Sequence, residues 1–238
     1  MELTFIGRGA AFNPKEGNTS AYFIENNQLF LIDCGESVFE RLLNTGILDS
    51  VDGVNVLITH THSDHIGSIG SLVMYFYYVR HMTTNIVLPK VAKYIENIKA
   101  VLFGFGCTND MYNYIEDSNF DNNYSSFNSF RYIETDHCDS LNCYSIVFKT
   151  DKGIIFYSGD TRELNVLNSV IQNNDNIYRI YIDTNISGVG TGHIGVDDLH
   201  DFIPTELIDK TYCMHINNDE CLKKAKEYGF NIVELGKN

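Results

Sequence analysis

The six residues His60-Thr61-His62-Ser63-Asp64-His65 put three imidazoles and a carboxylate into one short turn, directly after the apolar run Val54–Ile58. Neutral imidazoles and carboxylates are the usual ligands of zinc and similar ions. A tight turn at a strand end aims neighbouring side chains in different directions, so four donors in six residues can serve two metals. A polar turn whose histidines face solvent would read the same way, but three more donors stand in comparable settings. His137 follows the strand-like Phe130–Ile133, Asp160 follows the apolar Ile154–Tyr157, and His215 ends Tyr212-Cys213-Met214-His215. Singly, each is more often a cap or a hydrogen-bonding residue. Beside the first motif they read as a set.

The order H-x-H-x-D-H, then His137, then Gly159-Asp160-Thr161, then His215 resembles the metallo-β-lactamase superfamily over nearly the whole chain. That resemblance implies one metal on His60, His62 and His137, a second on Asp64, His65 and His215, and Asp160 as the bridge. Leu31-Ile32-Asp33-Cys34-Gly35 is similar to the superfamily's first motif, whose aspartate supports the metal turn from behind. The implied cofactors are two divalent ions, Zn2+ first, with Mn2+ or Fe as alternatives. The implied fold is α/β (α+β), a four-layer αββα sandwich. All seven ligand positions are filled, which argues against a degenerate, non-catalytic member.

Within the superfamily the chain resembles the ribonuclease Z and small metal-dependent phosphodiesterase branch. Phe5-Ile6-Gly7-Arg8-Gly9-Ala10-Ala11 and Asn18-Thr19-Ser20-Ala21-Tyr22 are similar to its opening Gly-rich strand and loop, and Tyr181-Ile182-Asp183-Thr184 to its acidic strand. Thr191-Gly192-His193 falls where that branch carries an extra histidine, although a plain loop histidine is the alternative. Two departures stand out. The branch's His-Ser-Thr is here His193-Ile194-Gly195, and only 22 residues separate His137 from Asp160, which leaves no room for a tRNA-gripping arm.

The resemblance implies a dinuclear hydrolase that attacks a small phosphodiester or nucleotide through a metal-bridging hydroxide. Asp64 would also orient that hydroxide, His193 would protonate the leaving alkoxide, and Asp183 would hold His193 in the right tautomer. Arg162 reads either as a phosphate contact or as an Arg on a helix surface. Rival readings are a lactonase or thioesterase on the same ligands, and an armless ribonuclease Z-like RNA endonuclease. A di-iron oxidoreductase of this fold would carry a glutamate where His62 stands. A non-enzymatic scaffold would not need an intact ligand set.

These donors need strands to hold them. β-branched and aromatic runs predict strands at Leu3–Ile6, Ala21–Ile24, Leu29–Ile32, Val54–Ile58, Ile86–Leu88, Tyr144–Phe148, Ile154–Tyr157, Ile177–Ile182, Tyr212–Met214 and Ile232–Leu235. Helical patterns fall at Ser37–Asn44, at Ile66–Val79, after Pro89, and at Asn218–Tyr228 before Gly229. Asn119 to Asn128 and Asn173 to Asn176 read as surface loops. One domain over 1–238 is the simpler organisation, and 66–114 is left as either a lid or a homodimer contact.

The formal charge of −14 disfavours broad binding of nucleic acid, tRNA included, or of an anionic membrane. Bound dications would reverse that sign locally, so a small anionic substrate stays open. Six cysteines without a C-x-x-C pair read as small buried hydrophobes. The start of the chain shows neither a basic stretch nor a long apolar one, and no run approaches the ~20 residues that span a bilayer. A reducing cytoplasm is the expected compartment.

Overall fold

Alternate side chains of a strand point to opposite faces, and in the central strands both faces are covered. In the third strand Leu29 and Leu31 enter one core, while Phe30 and Ile32 enter another. In the ninth, Ile155 and Tyr157 face the second core and Phe156 a third. Three cores imply four layers. The computed structural model describes residues 1–120, 127–188 and 190–236 and has that architecture.

The first sheet runs in chain order: β1 (Thr4–Gly7), β2 (Ser20–Glu25), β3 (Gln28–Ile32), β4 (Gly53–Leu57), β5 (Thr84–Leu88) and β6 (Tyr112–Glu116). β1 to β3 are antiparallel, and β3 to β6 are parallel. The second sheet is β7 (Ser129–Thr135), β8 (Cys143–Thr150), β9 (Gly153–Tyr157), β10 (Ile177–Asp183), β11 (Thr211–Met214) and β12 (Asn231–Ile232). β7 to β9 are antiparallel, and β9 to β12 are parallel. The middle core packs Phe23, Phe30 and Leu57 of the first sheet against Phe148, Tyr157 and Met214 of the second.

Five helices cover the first sheet's outer face: α1 (Val38–Thr45), α2 (Ile47–Ser50), α3 (Ser63–Ile66), α4 (Ile69–Tyr78) and α5 (Ala92–Gly104). Over the second sheet lie α6 (Asn165–Gln172), α7 (Val196–Phe202) and α8 (Asp219–Glu227). The last is capped by Asn218, whose side chain accepts from Cys221 N. No helix among the described residues is long and apolar enough to cross a membrane.

The αββα sandwich is as expected, and the differences are local. The helix read over Ile66–Val79 is two helices, because the chain breaks at Gly67-Ser68. There Ser68 Oγ donates to Gly35 O (2.5 Å) and accepts from Phe39 N (3.1 Å). The last strand stops at Ile232, and Leu235 makes only an isolated bridge to Phe5. Strand β6 and helices α6 and α7 were not expected. In the Asn119–Asn128 stretch residues 121–126 lie outside the described residues, while Phe120 and Phe127 on either side are buried.

The interval between His137 and Asp160 is consumed by the β8–β9 hairpin, paired from Ile146↔Tyr157 to Thr150↔Gly153. No arm projects there.

Candidate metal centre

Each chemically interesting residue sits just past the carboxyl end of a strand: Asp33 after β3, the His60–His65 turn after β4, His137 after β7, Asp160 after β9, and His215 after β11. Asp183 is the last residue of β10. In parallel sheets all these ends open on one edge, where ligands collect. The cost of aiming the donors shows in the backbone. Asp33 and His215 have φ of 62° and 56°, in the left-handed region that non-glycine residues seldom adopt.

The structure brings all seven expected ligands together. One group is His60, His62, His137 and Asp160; another is Asp64, His65, Asp160 and His215. Within each, donor atoms lie within 4.8 Å of one another. Asp160 belongs to both, with Oδ2 3.3 Å from His65 Nε2 and His215 Nε2, 3.7 Å from His137 Nε2 and 3.8 Å from His60 Nε2.

Behind the donors, other groups decide which ring nitrogen faces inward. Asp33 Oδ1 accepts from Thr59 N (2.8 Å), and its Oδ2 accepts from Thr59 Oγ1 (2.7 Å) and His65 Nδ1 (2.8 Å). Thr59 Oγ1, having donated to Asp33, accepts from His60 Nδ1 (3.2 Å). His137 Nδ1 donates to Gly192 O (2.7 Å), and His215 Nδ1 lies 3.3 Å from Asp183 Oδ1. Four of the five imidazoles thus spend one nitrogen on an outer partner and turn the other toward the cluster. His62 is the exception, with Nδ1 inward and Nε2 3.9 Å from the Cys138 thiol.

A cation fits this arrangement because lone pairs converge without enough protons to share. His62 Nδ1 is 2.9 Å from His60 Nε2 and 3.2 Å from His137 Nε2. His65 Nε2 is buried and has no hydrogen-bond partner among the described residues, although carboxylate oxygens lie 3.3 and 3.4 Å away. Charge follows geometry. Burial and the neighbouring imidazolium of His65 hold His60 well below its ordinary value. Burial opposes ionisation of Asp160, but the imidazoles of His215, His65 and His60 outweigh it and hold that carboxyl well below the usual range. Burial is likewise overcome at His215, which Asp160 and Asp183 push up to about 10. Divalent ions in place of the shared protons satisfy the same donors.

His193 is 3.9 Å from Asp160 Oδ2 and is not one of the seven expected ligands, but with Asp160, Asp183 and His215 it makes a third set of converging donors, and its Nδ1 lies 2.7 Å from Asp183 Oδ2. Asp183 Oδ2 also accepts from Thr161 N (3.1 Å). A cleft of about 1150 Å³ opens over these groups, lined among others by His62, Asp64, Asp160, His193 and His215. Arg162 stands on its rim, not on a helix surface, and is paired with Asp136 (2.9 Å) and Asp139 (2.8 Å). No described residue of 66–114 lines the cleft.

The sequence reading missed Thr59, Cys138 and the Gly192 carbonyl. It also missed Phe12, Asn185 and Asn217, which line the cleft. Five cysteines are buried as expected, and Cys138 is the partly exposed one.

The family model for the Anti-Pycsar protein Apyc1 matches residues 1–237. The chain belongs to that family. The Apyc1 protein of Bacillus phage 010DV004 is 49% identical over 77 residues, which is 32% of this chain and 29% of the phage protein. The match therefore spans less than a third of that relative's length. The Apyc1 protein of Saccharibacillus brassicae aligns over 226 residues at 26% identity, covering 90% of this chain and 89% of the other. Among solved structures, the metallo-β-lactamase fold protein YhfI of Bacillus subtilis superposes with a TM-score of 0.71 at 20% identity, covering 99% of this chain and 95% of its own. A diphosphatase of the PhnP family gives 0.73 at 15% identity with the same coverage. Both show the metallo-β-lactamase fold for this Apyc1 family member.

Proposed function

We propose that this chain is a dinuclear metal-dependent phosphodiesterase acting on a small phosphodiester or nucleotide. His60, His62 and His137 would hold one ion, Asp64, His65 and His215 the other, and Asp160 would serve both. Zinc suits the donor set, as do Mn2+ and Fe. When bound, the ions supply Lewis acidity toward phosphate oxygens and lower the pKa of water.

The observation that carries the reading is His193. It faces the cleft beside Asp160, is not among the seven expected ligands, and has its Nδ1 bonded to Asp183. That leaves Nε2 to donate a proton to a leaving alkoxide oxygen, while the Asp183 carboxylate steadies the imidazolium before transfer. Burial disfavours a charged His193, yet Asp183 outweighs it and raises the ring's pKa above its ordinary value. Asp64 lines the cleft and is held ionised by His215 and His65 despite its burial, so it can accept a hydrogen bond from the attacking water. The β8–β9 hairpin and the charge of −14 favour a small substrate over folded RNA.

The test is a panel. Protein stripped by chelator and reloaded with Zn2+ or Mn2+ is offered bis-(p-nitrophenyl) phosphate, a lactone, a thioester, a β-lactam and a precursor tRNA. Turnover of the phosphodiester well above the others is expected. Preferential hydrolysis of the lactone, or efficient cleavage of the RNA at physiological salt, overturns the reading.

A further inference from the structure

Cys138 is the one cysteine of the six that is not buried, and it lines the cleft over the cluster. A small buried hydrophobe is the ordinary reading of a free cysteine, and it accounts for the other five. It does not account for Cys138. That residue follows the ligand His137, and its Sγ lies 3.9 Å from Nε2 of the ligand His62. The other four ligand imidazoles rest their outer nitrogen on oxygen: Thr59 Oγ1, Asp33 Oδ2, the Gly192 carbonyl and Asp183 Oδ1. His62 has sulfur behind it, and sulfur is an acceptor that oxidation changes.

A second thiol stands beside the first. Cys143 opens β8 opposite Thr135 of β7, so the two cysteines bracket the short connection 139–142. That connection is folded on itself. Leu141 N donates to Cys138 O (3.5 Å), and Cys143 Sγ donates to Leu141 O (3.8 Å). The Cys143 thiol also meets the thiol and the backbone N–H of Cys138. The two differ in access. Cys143 is 2% exposed, and burial first, then the neighbouring Cys138 thiol, push it up to about 12. An oxidant entering the cleft therefore reaches Cys138, with Cys143 waiting behind it. An accessible thiol with a second thiol in contact is the arrangement in which oxidation ends as a disulfide rather than a higher acid.

We propose that Cys138 and Cys143 form a reversible oxidation site, a dithiol that a hydroperoxide converts to a disulfide at the rim of the cleft. The Cys138 sulfur attacks the O–O bond of hydrogen peroxide; an S–O bond forms, and the distal oxygen leaves as water. The Cys143 sulfur then displaces the hydroxyl group, the S–S bond forms, and a second water leaves. Two thiols and one peroxide give one disulfide and two waters, with two electrons passing from sulfur to oxygen. A dithiol reductant returns both electrons by exchange. The disulfide turns the Cys138 sulfur from His62 and draws in the connection that begins at His137, so the oxidised form holds metal less tightly. That consequence rests on the ligand assignment and the hydrolase reading, whereas the chemistry at sulfur does not.

The experiment treats zinc-loaded and chelator-stripped protein with a slight excess of hydrogen peroxide, quenches in acid, and alkylates under denaturing conditions. Free thiols per chain should fall from six to four, and peptide mass spectrometry should find Cys138 joined to Cys143. Dithiothreitol, removed afterwards by gel filtration, should restore all six. Cys143→Ser should stop at a sulfenic acid on Cys138 that dimedone traps, while Cys138→Ser should keep its remaining thiols. Competition with a chromogenic chelator should show zinc held about tenfold or more weakly after oxidation, the effect of losing an outer partner, with recovery on reduction. Reduced Cys143→Ser should bind zinc like the wild type, since Cys138 still stands behind His62. Six thiols after peroxide, a disulfide between other cysteines, or oxidation of Cys138 that dithiothreitol does not reverse overturns the proposal. So does a Cys138–Cys143 disulfide in a zinc-binding protein whose affinity is unchanged. If the disulfide forms in a protein that binds no zinc in either state, the oxidation site stands and the metal-centre reading falls.

Discussion

Asp183 Oδ2 lies 2.7 Å from His193 Nδ1, while its other oxygen is 3.3 Å from Nδ1 of the ligand His215. One fully buried carboxylate therefore orients both a residue that is not among the seven expected ligands and one that is. Ser158 Oγ accepts from Asp183 N, and Thr161 N donates to Asp183 Oδ2, so the acid is itself fixed by residues flanking Asp160. A change at Asp183 reaches the metals and the proton donor together.

His193→Ala separates those two effects, because it removes the proton donor alone. Metal content and fold should stay as in the wild type, while kcat falls roughly 10²–10⁴-fold, the range for a general acid–base group. The loss should shrink for a substrate that leaves as p-nitrophenolate, which hardly needs a proton. Steady-state kinetics on a good and a poor leaving group check this, beside elemental analysis. Equal losses on both would point instead to charge stabilisation, and no loss would take His193 out of the mechanism.

Asp183→Asn should be the mixed case. The amide can still meet one histidine, but it cannot stabilise an imidazolium at His193 or balance charge at His215. A fall in kcat with a weaker dependence on the leaving group is expected, together with roughly 10–100-fold weaker metal binding, the usual effect of losing an outer partner. Competition with a chromogenic chelator measures the second part. Wild-type metal affinity in this variant would show that the 3.3 Å approach to His215 carries no weight.

Much of this site could be read from the sequence, for a definite reason. Imidazoles and carboxylates clustered at the ends of apolar runs have few alternative uses, so His60, His62, Asp64, His65, His137, Asp160 and His215 stand out by type and place. Asp33, Asp183 and His193 needed the family resemblance, since each has common structural roles elsewhere. The Gly192 carbonyl behind His137 could not be read at all, because a backbone acceptor has no residue signature. Phe12 escaped for the opposite reason: an apolar residue in a loop looks like noise until the cleft is seen beside it. In the fold, α6 and α7 are short helices whose Leu167, Val170, Val196 and Leu199 do sit at helical spacing. Neighbouring Asn, Gly and Asp residues masked that period.

Gly35→Ala tests the packing behind the metal turn. A Cβ at Gly35 would run into the Asp64 carbonyl and press on Asn18 Cβ. Cys34 N donates to His65 O (2.6 Å), so the two segments have no freedom to part. Overpacking of this kind costs about 1–3 kcal/mol. Thermal unfolding should show a lower Tm than the wild type, and added Zn2+ should raise it less, because the displaced backbone carries Asp64 and His65. A variant as stable as the wild type, with the same response to zinc, would contradict the close approach.

Asp160→Ala should cost more metal than the loss of any one histidine. Each of His60, His62, His65 and His137 serves one donor group, and His215 serves one of the two groups of expected ligands, whereas Asp160 serves both of those. Two dications a few ångströms apart repel strongly in a buried site, and the carboxylate between them is the charge that offsets that repulsion. Without it the remaining donors are a neutral cluster on one side and Asp64 with two imidazoles on the other. The side lacking any carboxylate should empty first. Ligands must be deprotonated to bind, so wild-type metal content should also fall as the pH drops, and a site with fewer donors gives way to protons at a higher pH. Elemental analysis after dialysis across a pH series should therefore show about two metals per chain for the wild type near neutrality. His60→Ala should keep more metal than Asp160→Ala at every pH, and the Asp160→Ala curve should be shifted toward higher pH. If Asp160→Ala retains both metals with an unshifted curve, Asp160 is not shared, and the assignment of one residue to two ions is wrong.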